Sequence, residues 1–189
     1  FSPAAYPKVN SWGVHRHNGD CCSWDGVYCN EETLHVIGLD LSSSCLYGSF
    51  PSNITFFNLT HLRHLSLSEN HFNLSEIPSE IGQFSKLVSL NLSDSAFSGQ
   101  IPLAISNFSW LSTLDLSNQH ADTKARNQLK LQDPSLEKLV RNLTRLKELY
   151  LDQIDISSFV PHILTNLTLL EVVSLQFCKL NGQFPTNIF

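Results

Sequence analysis

Leu90-Asn91-Leu92-Ser93-Asp94-Ser95-Ala96-Phe97-Ser98-Gly99-Gln100-Ile101-Pro102 is the stretch that decides how this chain folds. Two leucines spaced i, i+2 place both side chains on one face of a short strand, and the residue between them faces the other way. The pattern recurs. Leu39 and Leu41 lead to Phe50-Pro51, Leu65 and Leu67 to Ile77-Pro78, Leu149 and Leu151 to Val160-Pro161, and Val173 and Leu175 to Phe184-Pro185. With Leu114 and Leu116 these make six copies. A period of about 20 to 29 residues built on Leu-x-Leu signals a solenoid, in which each turn lays down one strand and buries its leucines against the turns on either side.

The fourth copy keeps its strand and loses the Gly-x-Ile-Pro half. A polar stretch, His120 to Asp133, stands in its place and lengthens the step from Leu114 to Leu149. Each turn also carries an outer motif, seen at Asn58-Leu59-Thr60-His61-Leu62, Phe84-Ser85-Lys86-Leu87, Phe108-Ser109-Trp110-Leu111, Asn142-Leu143-Thr144-Arg145-Leu146 and Asn166-Leu167-Thr168-Leu169-Leu170. Its apolar residues three apart suit a short helical or 3₁₀ segment. One polar slot per turn, at Asn70, Ser95 and Gln119, can bond the backbone of the bend. In the fifth copy the slot holds Ile154 and in the last Cys178, so the polar ladder is expected to weaken at Ile154.

The composition is 42% apolar in 189 residues, enough core for one continuous stack without a domain boundary. A net charge of -5 with 12 thinly spread Lys and Arg gives no basic patch for nucleic acid. No apolar run reaches the roughly 18 residues of a membrane span, and Phe1 to Tyr6 lacks the charged and apolar regions of a signal peptide. Export is nonetheless indicated by seven Asn-x-Ser/Thr sequons, at Asn53, Asn58, Asn73, Asn91, Asn107, Asn142 and Asn166. N-linked glycans are therefore expected, and any targeting or anchoring segment lies outside this chain. Asn91 stands apart, since alternation points it out of the inner strand face, where a glycan would cover binding surface.

Cys21, Cys22 and Cys29 precede the first strand, within Asp20-Cys21-Cys22-Ser23-Trp24-Asp25-Gly26-Val27-Tyr28-Cys29. Zinc held with His15 and His17 is one reading, but the Cys-x₂-Cys pairs of structural zinc sites are absent. The other reading fits an oxidising compartment: Cys22 pairs with Cys29, closing a short cap whose core is Trp12 and Trp24. Cys21 then pairs with a residue upstream of Phe1 or with Cys45. On these boundaries the chain divides into a cap at 1-34 and six repeats at 35-189, interrupted at about 120-133.

Trp12, the double cysteine, Trp24-Asp25-Gly26-Val27-Tyr28-Cys29, His35-Val36-Ile37-Gly38-Leu39-Asp40-Leu41-Ser42 and the Gly-x-Ile/Phe-Pro endings resemble the ectodomains of plant leucine-rich-repeat receptor-like proteins, with the Cf-type resistance receptors the nearest group. The resemblance covers nearly the whole chain, including the interrupted fourth repeat. It implies an α/β solenoid, a right-handed superhelix with short parallel strands on its concave face and an N-terminal disulfide cap. It also implies an extracellular receptor on the plasma membrane that senses a protein or peptide and, lacking a kinase, signals through a partner receptor kinase. Such receptors continue through further repeats, a second cysteine cap and a membrane span. The sixth turn here ends at Phe184 to Phe189 without a polar cap, so this piece alone is expected to self-associate.

A partner would dock on the inner strand positions Asp40, Ser66, Asn91, Asp115, Tyr150 and Ser174, with His64, Glu148, Asp152 and Gln176 beside them. Interfaces favour aromatic anchors, so the expected ligand-binding group is Asp115, Glu148, Tyr150, Asp152, Ser174 and Gln176. Lys124, Arg126 and Lys130 without aromatics make the insertion a tolerated bulge rather than a ligand arm. Of the eight histidines, His61 and His64 are the one pair near a single turn. No nucleophile elbow, phosphate loop or metal spacing appears, so neither catalysis nor a cofactor is expected. A soluble cell-wall inhibitor of the polygalacturonase type shares the cap and repeat and is the competing reading; the interruption after Leu116 favours a receptor.

Overall fold

The computed structural model describes residues 3–13, 19–50, 52, 55–118 and 128–185. The Leu-x-Leu copies become strands β2 (Val36–Asp40), β3 (His64–Ser66), β4 (Ser89–Asn91), β6 (Thr113–Asp115), β8 (Glu148–Tyr150) and β9 (Val172–Ser174), numbered with β1 (Val27–Cys29), β5 (Gly99–Gln100) and β7 (Leu129–Lys130). They form one sheet in the order β1-β2-β3-β4-β6-β8-β9, parallel except for the antiparallel β1. Register follows the leucines. Leu39 lies opposite Leu65, Leu65 opposite Leu90, Leu90 opposite Leu114, Leu114 opposite Leu149 and Leu149 opposite Val173. A slip of one residue would turn every leucine to solvent, and for that reason the pairing is strongly specified.

Behind the sheet each turn buries Leu62, Leu87, Leu111, Leu146 or Leu170, and a phenylalanine layer of Phe57, Phe84 and Phe108 fills the wider outer side. The short helices of that side are Thr55–Asn58, Ser79–Gln83, Leu103–Asn107 and His162–Asn166, all 3₁₀, with one α-helix, α1 (Leu136–Val140). They lie just ahead of the motif expected to form them. The motif itself is the following bend, whose first apolar residue caps the helix and accepts an i+3 bond, as Phe84 O does from Leu87 N at 3.0 Å. Prolines set three of these helix starts: Pro78, Pro102 and Pro161 precede them with extended backbone.

The stretch expected to be a polar bulge is in its final part something else. β7 pairs in parallel with β5, and Leu131 N bonds Asp155 O on the next turn. Leu129 and Leu131 are buried, so Leu129-Lys130-Leu131 rebuilds the missing Gly-x-Ile half of the fourth turn without its sequence signature. Gln119 and residues 120–127 lie outside the described residues.

The polar slot behaves as expected at Asn70. Its amide donates to Leu41 O, Leu67 O and Ser68 O at 2.8, 2.9 and 3.1 Å and accepts from Ser44 N and Leu46 N. Ser95 Oγ donates to Leu67 O at 2.6 Å and Cys178 Sγ to Leu151 O at 3.0 Å. Ile154 is fully buried and takes no part beyond its backbone, so the ladder lapses at the fifth turn.

The N-terminal segment closes the first turn. Cys22 and Cys29 form a disulfide, Trp12 stacks on Trp24 with centroids 5.3 Å apart, and Trp12 Nε1 donates to Asp25 O. Gly26 has φ +77°, and a Cβ there would meet Asp40 O at 2.1 Å, so only glycine admits this approach of cap to strand. Lys8 completes the join through Asp40 O at 3.1 Å and Asp40 Oδ1 at 3.4 Å.

Candidate ligand-binding face

Parallel pairing arranges the inner side chains in three rows. Gly38, His64, Ser89, Thr113, Glu148 and Val172 make the first, and Asp40, Ser66, Asn91, Asp115, Tyr150 and Ser174 the second. The third is set by continuing each strand: Ser42, Ser68, Ser93, Ser117, Asp152 and Gln176. Adjacent positions within a row sit about 4.8 Å apart, the spacing of paired strands.

In the first four turns the second and third rows bond to each other. Asp40 Oδ1 accepts from Ser42 N at 2.9 Å and Ser42 Oγ at 2.5 Å, Ser66 Oγ lies 3.2 Å from Ser68 Oγ, and Asn91 Oδ1 accepts from Ser93 N at 2.9 Å and Ser93 Oγ at 2.7 Å. Asp115 Oδ1 accepts from Ser117 N at 3.0 Å and from Ser117 Oγ. Serine two residues after an acid or amide is the composition that closes such a local turn. In the fifth turn the positions hold Tyr150 and Asp152, and the bonds run onward instead. Asp152 accepts from Ser174 Oγ at 2.7 Å and Gln176 N at 2.7 Å.

Five of the six expected binding residues therefore frame the sixth. Asp115 and Ser174 flank Tyr150 in its row, Glu148 precedes it on β8, and Asp152 is tied to Ser174 and Gln176 in a bracket beside it. Both Asp152 carboxylate oxygens are thus already engaged within the fold. Burial pushes the Tyr150 phenol above its ordinary value, and the charges of Glu148 and Asp115 add to the effect, so it stays a neutral donor. Asp115 is raised as well, chiefly by burial, with the Ser117 bonds opposing. Asp40, at the same position on β2, moves the other way: burial opposes ionisation, but the Ser42 bonds and the charge of Lys8 outweigh it.

Two inner-face residues had no place in the sequence reading. Tyr28 on β1 is 59% exposed and lies over Gly38, whose missing Cβ leaves the ring room. Lys8 reaches Asp40 from the cap. Alternating Val27-Tyr28-Cys29 directly before the first parallel strand was the available sign of an added strand.

With this geometry in view, known proteins bear directly on the chain. A Leucine Rich Repeat family model matches residues 61–84 and 86–108. Receptor-like protein 6 of Arabidopsis thaliana is 38% identical over 185 residues, 97% of this chain and 18% of that protein. A receptor-like protein Cf-9 homolog of Solanum lycopersicum is 41% identical over 190 residues, 98% of this chain and 20% of that protein. The chain is a leucine-rich-repeat solenoid whose sequence matches plant Cf-9-type receptor-like proteins. It spans about a fifth of the length of these relatives. Among solved structures, the leucine-rich-repeat ectodomain of the receptor kinase SOBIR1 from Arabidopsis thaliana superposes with a TM-score of 0.70 at 26% identity, covering 93% of this chain and 91% of that one. The Arabidopsis receptor kinase HAESA, in complex with the peptide hormone IDA and the co-receptor SERK1, gives 0.67 at 28% identity, covering all of this chain and 33% of that one.

In this leucine-rich-repeat chain the sequons fall on two sides. Asn58, Asn107 and Asn166 end their 3₁₀ helices, Asn142 follows α1, and all four are exposed on the outer side, as is Asn73 near the lateral bend. Asn91 is half-buried on the inner face, held by the hydroxyl of its own sequon; Asn53 lies outside the described residues. The Cys21, Cys22 and Cys29 sulfurs lie within 4.8 Å of one another, but two of them form the disulfide and cannot serve as thiolate ligands. His15 and His17 lie outside the described residues. Cys21 and Cys45 are both free thiols, so they do not form the pair considered between them. His61 does not pair with His64; its ring stacks on His35 of the preceding turn, centroids 4.0 Å apart. Among the described residues no helix is long and apolar enough to cross a membrane.

Proposed function

We propose that this chain is the ligand-binding part of an extracellular plant receptor-like protein, without catalytic activity, that senses a pathogen-derived or endogenous protein or peptide in defence and signals through a partner receptor kinase. The observation that carries it is the break in the polar lattice at Tyr150, where an aromatic donor stands between Asp115 and Ser174, beyond four turns whose inner positions are closed by serine. A tyrosine with acidic neighbours is the kind of anchor that dominates binding energy. The similarity to Cf-9-type receptors supports the receptor class, and the neighbouring ectodomain that holds a peptide hormone together with a co-receptor supports a peptide ligand and a kinase partner. The relevant residues are Asp115, Glu148, Tyr150, Ser174 and Gln176, positioned by Asp152. The outward row Asn58, Asn107, Asn142 and Asn166 suits N-linked glycans that leave the inner face clear. Localisation is then the outer face of the plasma membrane, with the anchor in other parts of the protein.

The test is to express the intact receptor with a tag in plant cells, treat them with fractionated pathogen proteins and follow association with receptor kinases. The reading requires elicitor-dependent association and an endoglycosidase-sensitive mass. Inhibition of polygalacturonase by the purified protein, with no kinase association, would replace it by the inhibitor reading.

A further inference from the structure

A second surface lies along the edge where each turn enters its strand. The residue immediately before the buried Leu62, Leu87, Leu111 and Leu146 is His61, Lys86, Trp110 or Arg145, and His35 holds the equivalent place before Val36. These five side chains form a row across consecutive turns. His35 and His61 stack at 4.0 Å, Lys86 Nζ lies 3.3 Å from His61 Nδ1, and the Arg145 guanidinium sits 3.9 Å over the Trp110 ring. Trp110, in the turn just before Leu111, is 51% exposed. Exposed Arg63 and Lys147 stand two residues beyond His61 and Arg145, Lys147 paired with Glu171 at 2.9 Å. In a molecule of net charge -5 this row is a local reversal of sign, and it combines cations with an aromatic ring.

We propose that the row His35, His61, Lys86, Trp110 and Arg145 is a docking edge for an acidic segment of a partner protein, separate from the inner face. Charge complementarity argues for an acidic partner, and Trp and Arg are both residue types enriched at protein interface centres. Five turns at the strand spacing give a row about 19 Å long, the reach of roughly six extended residues. The outer sequons lie three residues before the row, at Asn58, Asn107 and Asn142, and the third turn has Gln83 instead, leaving Lys86 with no glycan acceptor beside it. Glycans would thus border the edge without covering its centre.

The test is fluorescence anisotropy of a labelled hexaglutamate peptide titrated with the full chain in low and physiological salt. Binding that weakens with salt is expected, together with a loss of at least tenfold in K86E/R145E and several-fold in Trp110→Ala, each with an unchanged melt. The control K138E/R141E, which alters charge equally on α1, should bind like the parent protein. Equal weakening in that control would overturn the proposal by reducing the effect to net charge. Absence of peptide binding, or binding of oligogalacturonate in place of the peptide, would overturn it too.

Discussion

On β2, β4 and β6 the acid or amide that ends the strand is held by the serine two residues on, whereas on β8 and β9 the same positions carry Tyr150 and Ser174 and the bonds pass from one turn to the next. Both regions share one backbone register and one leucine core, so the difference is confined to the solvent side of the sheet. A repeat scaffold fixes its buried face and leaves each inner position free to close on itself or stay available. The early turns close, and the first is further sealed by Lys8 and Tyr28 of the cap. The later turns present a ring hydroxyl.

The comparison can be broken most forcefully from beneath. Leu114→Ala empties a fully buried site and should cost about 3–5 kcal/mol, whereas Val173→Ala, in the partly exposed last turn, should cost about 1 kcal/mol in urea melts. Equal costs would mean that the two regions do not share one core in the way described. Next comes the polar slot. Asn70→Ala leaves Leu41 O and the Ser44 and Leu46 amides of the neighbouring turn without partners and should cost about 2–3 kcal/mol. Ile154→Val in the apolar slot should cost about 1 kcal/mol. Lys8→Ala removes the cap's ion pair to Asp40 and should lower stability by about 0.5–1 kcal/mol, falling with added salt.

The smallest effect is one of pH, and its sign differs between the two strands. Asp40 is depressed when folded, so its contribution is present above the ordinary carboxylate value of about 3.9 and is lost as pH falls through the lower folded value. Asp115 is raised, so the folded state binds its proton first, and stability declines as pH rises from about 3.9 through the higher folded value. Melts across pH 3 to 6 should therefore lose a rising component in Asp40→Asn and a falling one in Asp115→Asn. The same change in both variants would contradict the assigned roles of Lys8 and burial.

Strands and register were legible in sequence because leucines at i, i+2 have one physical solution, and the cap disulfide was the reading of Cys21, Cys22 and Cys29 left standing by the missing Cys-x₂-Cys spacing of a zinc site. The second half of the fourth turn was not. Leu129-Lys130-Leu131 has neither glycine nor an adjoining Ile-Pro, and only its pairing with Gly99–Gln100 reveals its place. The helices were misplaced by a few residues because the apolar spacing of three is shared by the helix and the bend after it. At the candidate face, which residues point inward was legible, since alternation alone decides that. Which of them are already bonded was hidden, because Asp115 and Asp152 look alike in sequence and differ only in whether the acceptor is filled within the turn or across it.

The most direct measurement is the dose-response of plant cells carrying the intact receptor to an active elicitor fraction, with inner-face variants matched for surface expression. D115A/Y150A should shift the half-maximal dose by at least tenfold, while S66A/S68A, on the closed part of the same face, should leave it unchanged. Equal responses from both double variants and the parent protein would contradict a ligand site at the fourth to sixth turns.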